Sequence, residues 1–242
     1  MIDQKSCINA SPLKCEFFDR PAEVVAPDLI GCFLFFELEG KKAGGMIVET
    51  EAYDESDYAS HCYSDECRRP RPYSKPMRLA PAHLYIYENG SGAPSINFVT
   101  DRVDYGSAVL IRAIEPAASS QAIMIERHEK FGRKDFTEFN LCNGPTKICD
   151  AVGIDRNLYK KTQEMAVSIL EHPFDLRMRT GSRQIVCGPR VGIQKQLAKE
   201  PPECHSRPEA RLAIARYWRF GLAGSKHVSP TQSFTQYVSK SL

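Results

Sequence analysis

Fifteen residues carry the densest chemistry in the chain: "IVETEAYDESDYASH", from Ile47 to His61. Alternation through "IVETEAY" predicts a strand with Ile47, Glu49, Glu51 and Tyr53 on one face and Val48, Thr50 and Ala52 on the other. Residues two apart on a strand lie about 7 Å apart, so two carboxylates and a phenol share that face, with the His61 imidazole close behind. A carboxylate can take a proton from water or face a developing positive charge, and flat rings can grip a flat group. Taken alone, the pair reads equally as the solvated acidic face of an edge strand. Further on, "RRPRPYSKPMR", Arg68 to Arg78, holds five cations and no acid. By itself that is a solvated loop; beside a carboxylate and flat rings it suggests a phosphate clamp next to a pocket for a planar group.

The elements that must position these residues belong to an otherwise ordinary chain. Its 242 residues, 42% of them apolar, are enough for a substantial core, and one domain is the default. Lysine and arginine number 32 against 30 acids, a net +2, so an anionic partner must be met by a local patch. The longest apolar run, inside "CFLFFELE", is too short to span a bilayer, and no signal pattern precedes it. Nine cysteines, scattered from Cys7 to Cys204, are no disulfide framework and fit a reducing compartment. An intracellular protein of cytoplasm, nucleoid or nucleus is expected.

Asp19 and Pro21 open a helix through "RPAEVVAPDLIG" that Pro27 should kink or end. "CFLFFELE", the turn-rich "GKKAGG" and "MIVETEAY" read as a hairpin, and a non-periodic loop runs from Asp54 to about Ala82. "HLYIY", "SINFV" and "SAVLIRAIEP" give three more strands, "ASSQAIMIERHEKFG" and the region from "GPTKICDAV" two helices, and "IVCGPRVGI" a return to strand. Lys199 to Arg207 reads as an exposed loop, and the last dozen residues as a frayed polar tail. The sheet should be largely antiparallel and the fold α+β.

In order, "RPAEVVAPDLIG", "IVETEAY" followed by "DYASH", "LYIY", "SINF", "VLIRAIEP", "LCNGPTKICDAVGI" and "RVGI" resemble the alkyladenine (methylpurine, 3-methyladenine) DNA glycosylases, over roughly Phe17 to Ser229. The resemblance implies a single mixed domain, residues 17–229, around a curved, mainly antiparallel sheet, with an N-terminal extension 1–16 and a polar tail 230–242. It implies an enzyme that flips a damaged purine out of DNA and hydrolyses its bond to deoxyribose, leaving an abasic site. It assigns the base slot to Tyr53, His61 and Tyr87, the water-activating carboxylate to Glu51, the support of Glu51 and the water to Arg112, and rejection of an exocyclic amino group to Asn97. Arg68, Arg69, Arg71, Lys75, Met77, Arg78 and Gly90 fall where DNA is met. No cofactor is implied, and Cys62, Cys67, Cys204, His61 and His205 lack the spacing of a metal site. The expected partner is damaged DNA, double-stranded or weakly paired, bound by a monomer.

The chain departs from the pattern in two places. The loop between Tyr53 and His61 is one residue short. Gly90 stands where the family carries a tyrosine that wedges into the duplex, leaving Leu79 or Tyr73 as substitutes. Two other readings stay open: a non-catalytic protein that binds damaged nucleic acid, which would need no Glu51, and a carbohydrate hydrolase using Glu49 and Glu51 as acid and base. If a single carboxylate is catalytic, Glu49→Gln should be mild.

Overall fold

Two residues, Glu39 and Gly40, turn the chain between strands β1 (Phe33–Leu38) and β2 (Lys41–Asp54), both at positive φ (53° and 70°) as a tight hairpin requires. The turn is shorter than "GKKAGG" suggested, because Gly44 and Gly45 serve packing and not turning. A Cβ on Gly44 would lie 2.0 Å from the Leu34 carbonyl oxygen, and one on Gly45 2.0 Å from that of Glu115. The computed structural model describes residues 10–66, 68–88, 92–199, 202, 206–229 and 234–236.

The remaining strands are β3 (Leu84–Glu88), β4 (Pro94–Val99), β5 (Ser107–Pro116), β6 (Phe174–Arg177), β7 (Ile185–Gly188), β8 (Arg219–Leu222) and β9 (Thr235–Gln236). Among the described residues they form one sheet in the order β3-β4-β5-β2-β8-β7-β9, with β1 pairing β2 and β6, and every pairing is antiparallel. The sheet forks at β2. One edge of β2 runs along β5, while the other meets β1 up to Met46 and β8 from Glu49 to Glu51. β2 is therefore interior, which overturns the edge-strand reading, and Glu49 and Glu51 are both wholly buried.

The register of β2 against β5 slips twice near Glu49. Simple alternation fails there: Ile47 joins Ala52 in the main core, while Val48 packs with Met46, Phe33 and Ala113 in a separate cluster. Irregularities of this kind re-aim side chains beside functional sites.

Helices α1 (Cys15–Phe18), α2 (Ala22–Asp28), α3 (Gln121–Lys130), α4 (Pro145–Val152), α5 (Arg156–Glu164), α6 (Ile193–Leu197) and α7 (Pro208–Ala215) surround the sheet. Pro21 precedes α2 and Pro27 sits in its last turn, where a missing N–H costs least disruption downstream. Val25 and Ala26 of α2 and Ile148 and Val152 of α4 enter the same apolar cluster as Ile47, Ile111 and Ile114 of the sheet. The Thr50 hydroxyl ties β2 to α2 through the Ala26 carbonyl at 2.8 Å.

Three local expectations change. The supposed loop 54–82 contains a 3-10 helix, Pro72–Arg78, and the strand in "IVCGPRVGI" stops at Gly188, with Ile193 opening α6. The tail is not wholly frayed: Thr235–Gln236 pairs with Val186 and Cys187, and a Cβ on Gly221 would meet the Phe234 ring at 2.8 Å. Most of 199–207, together with Gly90, Cys67, Cys204 and His205, lies outside the described residues. No helix among the described residues is long and apolar enough to cross a membrane.

Candidate active site

Burying a carboxylate costs several kcal/mol unless partners compensate, so the surroundings of Glu49 and Glu51 decide what each can do. Glu49 is locked. Its Oε1 accepts from Arg112 Nε at 2.9 Å and from Arg219 Nε at 2.7 Å, its Oε2 accepts from the Ser229 backbone N–H at 2.7 Å, and the Ser229 hydroxyl lies 2.9 Å from Oε1. Burial pushes the Glu49 carboxyl up, but the Arg112 and Arg219 guanidiniums and the Ser229 N–H outweigh it and hold the carboxyl below its usual range. Where the sequence led to a mild effect of Glu49→Gln if a single carboxylate is catalytic, these contacts lead to a larger expected one, since the change would leave buried guanidiniums short of a charge.

Glu51 is held more lightly. Its Oε2 accepts from the Tyr53 hydroxyl at 2.8 Å and its Oε1 from the Val191 N–H at 2.7 Å, while Arg112 Nε stands 3.5 Å from Oε1. Burial, then the Glu51 charge, push the Tyr53 phenol well above its ordinary value, so it stays a donor. Arg112 serves both carboxylates but sits closer to Glu49.

Glu51, unlike Glu49, lines a cavity of about 380 Å³. Tyr53, His61, Tyr87, Asn97 and Arg112 line it too, so all six residues expected to act on the base or the bond converge, joined by Met77, Ser95, Val191 and Gln196. The volume lies within the range of small-molecule sites, about 300–1,000 Å³. One wall is aromatic: the rings of His61 and Tyr87 are 4.4 Å apart, and Tyr73 packs on Tyr87 at 5.4 Å with planes inclined 33°. Tyr73 is thus engaged in the wall, and Leu79 is half-buried. Tyr53 enters from β2, with the Arg190 guanidinium 4.7 Å from its ring centre. Asn97 spends its Nδ2 on the carbonyls of Tyr85 and Ser95, both at 3.2 Å, which fixes the amide and leaves Oδ1 as its uncommitted atom.

His61 Nδ1 lies 2.8 Å from the Tyr85 hydroxyl, and burial, then the charges of Arg68 and Arg71, push the imidazole down to about 4. The folded state therefore keeps His61 neutral where the unfolded chain, titrating at about 6.5, binds a proton. This stabilisation is complete above pH ~6.5 and is lost as pH falls towards ~4. Urea melts between these pH values should show a steeper fall in stability for the parent than for His61→Phe. Identical slopes would mean that His61 titrates normally.

The basic run is not one exposed face. Arg68 is buried, donating to the Tyr58 carbonyl with its guanidinium 5.2 Å from the Tyr58 ring. Arg78 pairs with Glu55 and donates to the Asp104 carbonyl at 2.8 Å. Met77 is buried with its sulfur 3.7 Å from Cys62 Sγ. Arg69 and Lys75 are exposed and Arg71 half-exposed. Two of the five cations thus pin the loop that carries the aromatic wall.

Sequence reasoning gave no role to Arg190, Val191, Arg219 or Ser229. Arg190 and Val191 were visible inside "RVGI", and Arg190 proves to be a buried strut that pairs with Asp57 and donates to the carbonyls of Ala52 (2.9 Å) and Ala213 (3.0 Å). Arg219 and Ser229 lie 170 and 180 residues from Glu49 and carry no local signal. Among the described residues no group of three or more His, Cys, Asp or Glu could hold a metal ion.

A buried carboxylate with an arginine beside it, lining a cavity walled by flat rings, is an arrangement suited to a planar group with the carboxylate at its edge. The chain belongs to the methylpurine-DNA glycosylase family, whose model matches residues 16–226. It is similar to a protein of Nitrosospira multiformis (40% identity, covering 88% of this chain and 91% of that one) and to one of Rhizobium etli (36%, covering 93% and 94%). A protein of Rhodopseudomonas palustris strain HaA2 is 34% identical over 90% of each chain. All three carry the provisional name 3-methyladenine DNA glycosylase.

Proposed function

We propose that this protein excises alkylated purines from DNA by direct hydrolysis of the N-glycosidic bond. The observation that carries this reading is Glu51: buried, oriented by Tyr53 and Val191, and facing a cavity walled by the rings of Tyr53, His61 and Tyr87. A purine must leave the stack before water can reach C1′, and the rings hold the flipped base. Water then attacks C1′ as the bond to the base breaks, with the bonding pair leaving on the base. Glu51 accepts the water proton, and its charge faces the oxocarbenium character of the sugar. A positively charged alkylpurine leaves as a neutral base and needs no acid. Among the described residues that line the cavity none is a lysine, which supports water as the nucleophile and an abasic site in an unbroken strand as the product. Arg69, Arg71 and Lys75 face the phosphates, Asn97 limits what fits at the purine edge, and the protein acts as a monomer.

The structure speaks against both alternatives. A binding module would have no use for an oriented buried carboxylate in its pocket. A paired-acid glycoside hydrolase needs both carboxyls at the substrate, and Glu49 is spent on Arg112, Arg219 and Ser229. Incubation with methylated duplex DNA should release free alkylated purine and leave alkali-labile sites. Tight binding without base release would leave only the binding reading, and sugar release from model glycosides would restore the hydrolase.

A further inference from the structure

The family match ends at residue 226, yet the ion cluster beside the cavity is completed at Ser229. The Ser229 N–H and hydroxyl both reach Glu49, the hydroxyl stands 3.4 Å from Arg112 Nη2 and 3.3 Å from Arg219 Nη2, and the Ser229 carbonyl accepts from Arg219 Nη2 at 3.2 Å. Further along, Phe234 covers the Arg219 guanidinium at 4.1 Å. Arg219 itself has no exposed surface. This is a closed cluster with one open side, the 3.5 Å gap from Arg112 to Glu51.

We propose that Glu49 and Ser229 are positioning residues for the reaction: they hold Arg112 on Glu49, so that Arg112 orients Glu51 without taking its charge in a full hydrogen bond. The inference rests on the glycosylase reading given above. Nε of Arg112 has a single proton, and at 2.9 Å it is given to Glu49, leaving Glu51 the weaker contact. A Glu51 bonded squarely to Arg112 would be a poorer base and a poorer counter-charge for the sugar cation. Other groups surround Glu51 as well. Tyr53, backed by Arg190, and the Val191 N–H hold its two oxygens, Arg219 lies opposite it in the strand pair, and neutral His61 lines the same cavity.

The test reads both the clamp and the reaction, in the full-length protein. Hydrogen exchange of the Arg112 Nε–H, followed by nitrogen-15 NMR, reports the clamp without reference to activity, and should be slow in the parent and faster in Glu49→Gln and Ser229→Ala. In single-turnover excision Glu49→Gln should be slower by about 10²-fold with lesion-DNA binding within about threefold of the parent, as for misplaced catalytic groups. The acid limb of its pH–rate profile should move to lower pH, because the Arg112 charge then falls undivided on Glu51. Glu49→Asp, which keeps the charge, should hold that limb in place. Ser229→Ala, which removes only a hydroxyl, should fold even where Glu49→Gln does not and shift the limb in the same direction, and Ser229→Thr should recover most of the rate. Unchanged Arg112 exchange in Ser229→Ala, or rate and binding falling together with no movement of the acid limb, would overturn the proposal. A parent that binds methylated DNA but releases no base would instead overturn the glycosylase reading, while the exchange measurement still decides whether the clamp exists.

Discussion

Glu51→Gln is expected to abolish base release while lesion-DNA binding persists. Glutamine keeps the shape and can keep both contacts, its carbonyl accepting from the Val191 N–H and its amide donating to the Tyr53 oxygen, so the pocket stays in place. The change removes the proton acceptor and the negative charge, and general-base assistance alone is worth about 10² to 10⁴ in rate. The variant should therefore show the parent's affinity by fluorescence anisotropy and a rate of base release lower by at least about 10²-fold under single turnover. Near-normal turnover would remove Glu51 from the mechanism.

Arg219→Met is expected to produce the largest loss of stability of any single change near the site. Arg219 is wholly buried, and its removal leaves Arg112, shared with Glu51, as the cation bonded to Glu49 and strips the Ser229 carbonyl of a partner. Breaking one side of a buried ion pair costs about 3–5 kcal/mol, because the remaining charge is stranded in a medium that cannot solvate it. For a chain of this size that corresponds to a drop in Tm of roughly 6–20 °C. The double variant Glu49→Leu, Arg219→Met should recover part of the loss, since Arg112 then has Glu51 as its counter-charge and no carboxylate is stranded. A Tm unchanged in the single variant, or losses that simply add in the double, would show that the pair is not the coupled unit its geometry implies.

Much was legible from the sequence alone. The period-two pattern of "FLFFEL" and "IVETEAY", the later apolar strands and the proline-opened helices are local signals, and local signals follow from φ/ψ preferences that neighbours in sequence share. The order of short motifs, through the family resemblance it carries, was enough to name Glu51, Tyr53, His61, Tyr87, Asn97 and Arg112, and the fold brings all six to one cavity.

Only the tertiary structure gives the two glutamates different surroundings. Glu49 and Glu51 are two residues apart on one strand and indistinguishable by type or spacing. Their difference arises because the register slips beside Glu49 and because Arg219 and Ser229, 170 and 180 residues away, close on Glu49 and leave Glu51 at the cavity. The basic run shows the same limit: five cations look alike in sequence, yet burial assigns Arg68 to the Tyr58 carbonyl and geometry pairs Arg78 with Glu55, leaving Arg69 and Lys75 exposed. Charge type is written in the chain, but what a charge does depends on its distance to a counter-charge and on the water it has lost, and both are set by contacts between residues far apart in sequence.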